Sequence, residues 1–190
     1  ICLYRCGFCA FSKGSTKSER GPAYNIDHAE IARRTIEAHE RGASEVCLQG
    51  GIHPSYDGNT YRGIVQAVKD AVPDMHVHAF SPLEVHHGAT TLGLGYEEYL
   101  ASLKECGLAT LPGTAAEILS DDVRALICPD KVSTQQWLSI MRAAHTVGLK
   151  TTATIMFGHV EDYSHWATHL QRLRALQMET GGFTEFVPLP

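Results

Sequence analysis

Five short runs of apolar and β-branched residues, at positions 45–48, 75–80, 108–111, 151–157 and 183–187, each end in a turn of glycine, proline or polar residues. Runs of that length between such turns read as strands. They recur roughly every 30 to 45 residues, the size of one strand-helix unit, and helical patterns fill the gaps. Asp27 followed by Glu30 predicts a capping box, with Ile31, Ile36 and Ala38 on an apolar face until Gly42 stops the helix. Ile64, Val65 and Val68 mark a second helix closed by Pro73, 96–106 a third, and 123–127 a shorter fourth. Residues 134–147 make a fifth, with Trp137, Leu138, Met141 and Ala144 inward and Gly148 past its end, and 164–178 a last one. Strict alternation of strand and helix forces a parallel sheet, because each helix carries the chain back to the same end of the sheet. The expected class is therefore α/β, as either a barrel or an open doubly wound sheet.

Composition removes several functions. A chain of 190 residues that is 44% hydrophobic and 19% charged, with a formal net charge of -5, suits one soluble domain. It has no apolar run long enough to span a membrane and no secretory pattern. The acidic balance and the lack of a basic stripe argue against nucleic acid. Six cysteines are too sparse for a disulfide scaffold, and free thiols point to a reducing, cytoplasmic setting.

Three of those cysteines are close together. Cys2, Cys6 and Cys9 form a C-x3-C-x2-C array with Phe8 just before the last. Three thiolates on one loop can hold three irons of a [4Fe-4S] cluster and leave the fourth iron open for chemistry. A structural zinc site would call for a second Cys or His pair downstream, and none has the spacing. Cys47, Cys106 and Cys128 lack ligand spacing and are expected to be small buried residues. A loop presenting three ligands needs an element before it, and residue 1 is Ile. The expectation is one core domain over residues 1–190, cut from a longer protein with its first strand and a C-terminal part elsewhere, so that the strand at 45–48 keeps an unpaired edge.

In a (β/α) barrel, chemistry sits on the loops leaving the C-terminal ends of the strands. Those loops would carry the cysteines, Gln49-Gly50-Gly51-Ile52-His53, Ser81 to Glu84, Gly113 to Glu117, and Gly158 to Glu161. One rim would thus collect three thiolates, three carboxylates and two histidines. His76 and His78 share one face of a strand by its period of two, and His78 stands nearer the rim. The polar segment 13–21 would form a flap beside the cysteines.

The cysteine array resembles the cluster loop of the radical S-adenosylmethionine (SAM) family, in which SAM chelates the open iron. That resemblance implies a partial (β/α)6 barrel, here without its first strand, and two cofactors, a [4Fe-4S] cluster and SAM. It assigns Cys2, Cys6 and Cys9 to the cluster. Phe8, Gln49, Gly50 and Gly51 go to SAM, as does Glu117 at the fourth strand of that barrel. Gly158 and Glu161 also go to SAM, although Thr154 and Met156 stand where the commoner pattern has Gly and Ile. His53 and Glu84 become catalytic candidates and His78 a substrate contact.

Within the family, residues 47–54 (CLQGGIHP), 76–84 (HVHAFSPLE), 112–119 (PGTAAEIL), 151–159 (TTATIMFGH) and 180–190 (TGGFTEFVPLP) look like the deazaflavin-forming branch that acts on tyrosine. In that branch a 5'-deoxyadenosyl radical takes a hydrogen from L-tyrosine. Its Cα–Cβ bond breaks, and the 4-hydroxybenzyl unit adds to 5-amino-6-(D-ribitylamino)uracil. A ferredoxin or flavodoxin would supply the electron, and a second radical SAM subunit or domain would close the deazaflavin ring. Futalosine-route relatives of menaquinone biosynthesis share the HAFSP, GAEIL and TGGF signatures and are the alternative. Gly113-Thr114-Ala115-Ala116 and the ending at 185–189 favour the deazaflavin branch. A non-catalytic electron-transfer module is the second alternative, but it would have no use for the Gly-Gly turn.

Overall fold

A computed structural model describes residues 1–9 and 25–190. The segment expected to form a flap lies outside the described residues. The elements run α1 (His28–Glu40), β1 (Glu45–Leu48), α2 (Gly58–Ala71), β2 (His76–Ala79), α3 (Pro82–Leu92), α4 (Tyr96–Glu105) and β3 (Thr110–Leu111). Then follow α5 (Asp121–Ile127), α6 (Thr134–Thr146), β4 (Lys150–Met156), α7 (Tyr163–Thr180) and β5 (Phe183–Leu189).

All neighbouring strands pair in parallel, in the order β1-β2-β3-β4-β5. A doubly wound sheet needs a point where the order reverses. Here it never does, so the open-sheet alternative fails and the fold is the partial barrel. Among the described residues β1 pairs only with β2, and β5 only with β4.

The two faces of the sheet differ sharply. Val77, Ala79, Leu111 and Ala153 are 3% exposed or less and pack under the helices. From α2 come Val65 and Val68, from α4 Leu100 and Leu103, and from α6 Trp137, Ile140 and Met141, all fully buried. Truncating one of these Leu, Ile, Met or Trp side chains to Ala costs about 2–5 kcal/mol in comparable cores. The opposite face, the lumen side of a barrel, carries Glu45, Cys47, His76, His78, Thr110 and Glu185, none of them buried.

The fold departs from the sequence reading in several places. Residues 82–92 form a helix, α3, rather than the tail of a loop. Ser81 caps it, Pro82 opens it, Glu84 closes a capping box, and Gly93 ends it at φ 67°. That S-P-x-E pattern is a helix start; treating the proline only as a strand terminator hid it. At the start of α1, Asp27 accepts from Glu30 N, but the Glu30 carboxylate is drawn to Arg33 and Arg34 and leaves the box half made. Ile36 is 43% exposed, whereas Thr35 is buried, because a residue five positions after Ile31 lies well round the helix while one at four stays on the same face. Leu138 is only half-buried. The strand at 108–111 shrinks to Thr110–Leu111, since Leu108 N still bonds back to Leu103 O. Cys47 is exposed, not buried, because its face of β1 has no helix over it.

Candidate functional site

The nine-residue cysteine loop lies across the C-terminal end of β1. Leu3 N donates to Ile52 O at 2.8 Å, and the Cys2 Sγ accepts from Ile52 N at 3.3 Å and Tyr4 N at 3.4 Å. A Cβ on Gly51 would lie 2.6 Å from Ile1 O and 2.9 Å from Cys2 Cβ. Glycine is therefore required here for the approach of the cysteine loop itself. Burial pushes the Cys6 thiol up, partly countered by Lys131.

The Gly-Gly turn is held from beneath. Glu84, expected on an exposed rim loop, is 3% exposed at the third position of α3. Its Oε1 accepts from Gly50 N at 2.9 Å, and its Oε2 from Ser81 N at 2.7 Å and Ser81 Oγ at 2.6 Å. Burial pushes its carboxyl up to about 7 despite those bonds. Both oxygens are engaged within the chain, so the geometry is that of a brace. Gln49 joins the turn to the next loop, its Oε1 accepting from Thr114 Oγ1 at 2.8 Å.

That next loop, 113–119, is the most strained backbone described. Ala115 and Glu117 both take positive φ, 61° and 43°, without being glycine, a conformation that persists only where the surroundings impose it. The buried Arg124 imposes it by donating to the carbonyls of Ala115, Ala116 and Val132. His169, fully buried, accepts from Leu119 N at 2.9 Å. Glu117 is thereby turned toward the cysteine loop and pairs with Lys131 Nζ at 2.5 Å. Burial alone would lower the Lys131 ammonium, but the Glu117 carboxylate raises it. The same ammonium sits 5.2 Å from the centre of the Phe8 ring, a cation–π arrangement. Phe8 in turn meets His159 at 5.9 Å.

Other expected residues lie elsewhere. Glu161 folds back on its own turn, accepting from Gly158 N, His159 N at 3.0 Å and Trp166 Nε1 at 3.0 Å. Its burial would raise its carboxyl, yet those donors bring it down to about 2. Gly158 adopts φ 96°, which suits only glycine. His53 accepts through Nδ1 from Ser55 N, and its ring lies tilted against Tyr56 at 5.1 Å. His78 lies on the lumen face, where burial lowers its pKa.

The structure thus brings together Cys2, Cys6, Phe8, Gln49, Gly50, Gly51 and Glu117, and adds Lys131, Arg124 and His169, which the sequence reading missed. A lysine fourteen residues beyond Glu117 carries no local signal; only the fold makes them neighbours.

Among the described residues no three His, Cys, Asp or Glu side chains converge on a point that could hold a single metal ion. A cubane cluster asks for something else, one thiolate on each of its own irons. Three thiols spread along one short loop, with backbone donors on the Cys2 sulfur and the Lys131 ammonium close by to offset negative charge, fit that requirement. Among the described residues no helix is long and apolar enough to cross a membrane.

The pattern of the Radical SAM superfamily matches residues 1–173. The 5-amino-6-(D-ribitylamino)uracil–L-tyrosine 4-hydroxyphenyl transferase of Methanocaldococcus jannaschii is 50% identical, aligned over 100% of this chain and 53% of its own length. An FO synthase of Mycobacterium leprae is 51% identical over 100% of this chain and 22% of its own. The chain therefore spans about half the length of the transferase and less of the synthase. Among solved structures, methylornithine synthase (PylB) superposes with a TM-score of 0.68 at 18% identity, covering 93% of this chain and 48% of that one. That likeness concerns the fold.

Proposed function

Because the chain belongs to the radical SAM superfamily, we propose that it is the SAM-cleaving core domain of an enzyme that moves the 4-hydroxybenzyl unit of L-tyrosine onto 5-amino-6-(D-ribitylamino)uracil. The observation that carries this reading is the 50% identity, sustained over the whole chain, to a protein named for that reaction. A [4Fe-4S] cluster with SAM on its open iron supplies the one-electron cleavage that starts radical chemistry on tyrosine.

The protein's own residues do the holding. Cys2, Cys6 and Cys9 would ligate the cluster. Gly50 and Gly51, pinned by Glu84 below and by Gln49 to Thr114 at the side, offer the backbone of their turn to the amino end of SAM. Glu117, fixed by Arg124 and paired with Lys131, presents a carboxylate suited to ribose hydroxyls. Phe8 and the exposed His159 set two rings at the edge of the site. Glu161 and Gly158 shape the far turn. The lumen face, with His78 and Thr110, faces the substrates. His53 and Glu84 act through position: one orders the turn after Gly51, the other holds it. A ferredoxin or flavodoxin in the cytoplasm is the fitting electron donor, and a second radical SAM subunit or fused domain the fitting partner for ring closure.

The test is anaerobic reconstitution of the full-length enzyme with SAM and dithionite. We expect 5'-deoxyadenosine that depends on Cys6, and a product whose mass is that of the benzylated uracil. Turnover unaffected by Cys6→Ala would sink the radical reading, and product only from futalosine-type substrates would move the chain to the menaquinone branch.

A further inference from the structure

On the lumen face, four side chains from three strands form a line. Thr110 Oγ1 on β3 lies 2.9 Å from His76 Nε2 and 2.7 Å from His78 Nδ1 on β2, and His76 Nε2 lies 3.5 Å from Glu45 Oε2 on β1. The register places Glu45 beside His76 and His78 beside Thr110.

One hydroxyl carries one proton, so Thr110 can donate to only one of the two rings; among the described residues that hydroxyl meets no other acceptor, so it donates to one ring and accepts from the other. If it donated to His76, the bare lone pair of His76 Nε2 would face the Glu45 carboxylate, acceptor against acceptor. With the proton on His76 Nε2, that N–H donates to Thr110 and keeps the positive edge of the ring 3.5 Å from the Glu45 carboxylate, and the hydroxyl proton is free for His78 Nδ1. Burial disfavours the charged form of His78, so its remaining proton sits on Nε2. Among the described residues no protein group hydrogen-bonds to that Nε2, and the ring is only half-buried.

We propose that Glu45, His76 and Thr110 form a relay that fixes neutral His78 as its Nε2–H tautomer, presenting one directional donor to a ring oxygen of the substrate in the lumen. This rests on the function proposed above, under which two substrates offer such an oxygen: the phenol of tyrosine and the carbonyls of the pyrimidinedione. His78 is then a specificity-determining contact and Thr110 a positioning residue. Neutral donation suits an oxygen that must be held without being protonated.

Two measurements on the reconstituted full-length enzyme test this. In the first, KM and kcat are determined for tyrosine and for the ribitylaminouracil separately. T110V should raise one KM by about 10-fold, the worth of one well-placed hydrogen bond, with kcat changed far less. T110S, which keeps the hydroxyl, should restore it. H78Q, which keeps an N–H near the Nε2 position, should be milder than H78L. The substrate whose KM rises identifies the oxygen. In the second, long-range 1H–15N spectra of 15N-histidine protein should show His78 protonated on Nε2 in the wild type, and lose that preference in T110V. Equal damage from T110V and T110S, H78L with both KM values unchanged, or His78 protonated on Nδ1 in the wild type would each overturn the relay. The spectrum requires no substrate, so a wild-type enzyme with the expected tautomer but no activity on these two compounds would fault the proposed function and leave the relay standing.

Discussion

Replacing Glu84 with Gln separates two roles that one buried carboxylate combines. Its oxygens accept three protons, from Gly50 N, Ser81 N and Ser81 Oγ. A glutamine has one acceptor oxygen and an NH2 that can only donate. Facing Ser81 with its oxygen satisfies two donors, so the NH2 turns to Gly50 and leaves that N–H without an acceptor. An orphaned buried donor costs about 1–3 kcal/mol, and the loss falls on the turn proposed to hold SAM. Against this stands the burial of charge, since the carboxyl is raised from 4.5 to about 7. In that window the folded protein binds more protons than the unfolded chain. Stability contributed by the neutral form is present at low pH and is lost as pH rises toward 7, by ~3 kcal/mol. Glu84→Gln removes this titration. At pH 8 the relief of buried charge offsets the lost bond, and the variant should melt at or above the wild-type temperature. At pH 5 it should melt below. SAM affinity at pH 8, by anaerobic equilibrium dialysis of the full-length enzyme, should nonetheless weaken about 10-fold, as 1.4 kcal/mol on the turn implies. A melting difference that does not change with pH, or unaltered SAM affinity, would refute the reasoning.

Three other outcomes follow from named contacts. Gly51→Ala puts a methyl against Ile1 O and Cys2 Cβ, so reconstituted protein should hold clearly less iron and sulfide per chain than wild type; full occupancy would mean that the cysteine loop yields without loss. Lys131→Met leaves the Glu117 carboxylate, 7% exposed, without its partner, and should cost about 3–5 kcal/mol in denaturant melts, whereas replacing both residues by apolar ones should recover much of it. His169, fully buried, is lowered by burial from 6.5 to about 4. The folded protein therefore binds fewer protons than the unfolded chain between those values, and stability falls by ~3 kcal/mol as pH drops through them. A His169→Gln variant should lack that slope.

Local chemistry was enough to read much of this protein from its sequence. Alternating strand and helix patterns gave a parallel α/β fold, and three cysteines on one loop pointed to the radical SAM family that the chain matches. Each of those signals is complete within a few residues, because strand periodicity, turn glycines and ligand spacing are properties of the adjacent chain. Other features depended on residues far apart in sequence. The sequential strand order that excluded the open sheet exists only once the strands pair. Glu84 reads as a rim acid until α3 carries it under Gly50, thirty-four residues away. Cys47 reads as a buried thiol until the face it occupies is found to have no helix over it. Lys131, Arg124 and Thr110 give no signal at all in one dimension, since their roles are set by carbonyls, a carboxylate and two imidazoles that other elements deliver. The sequence by itself determined the alternating fold and the family; the tertiary structure decided which side chains stand beside the cysteine loop and the Gly-Gly turn, because burial and hydrogen-bond partners are fixed only when distant segments meet.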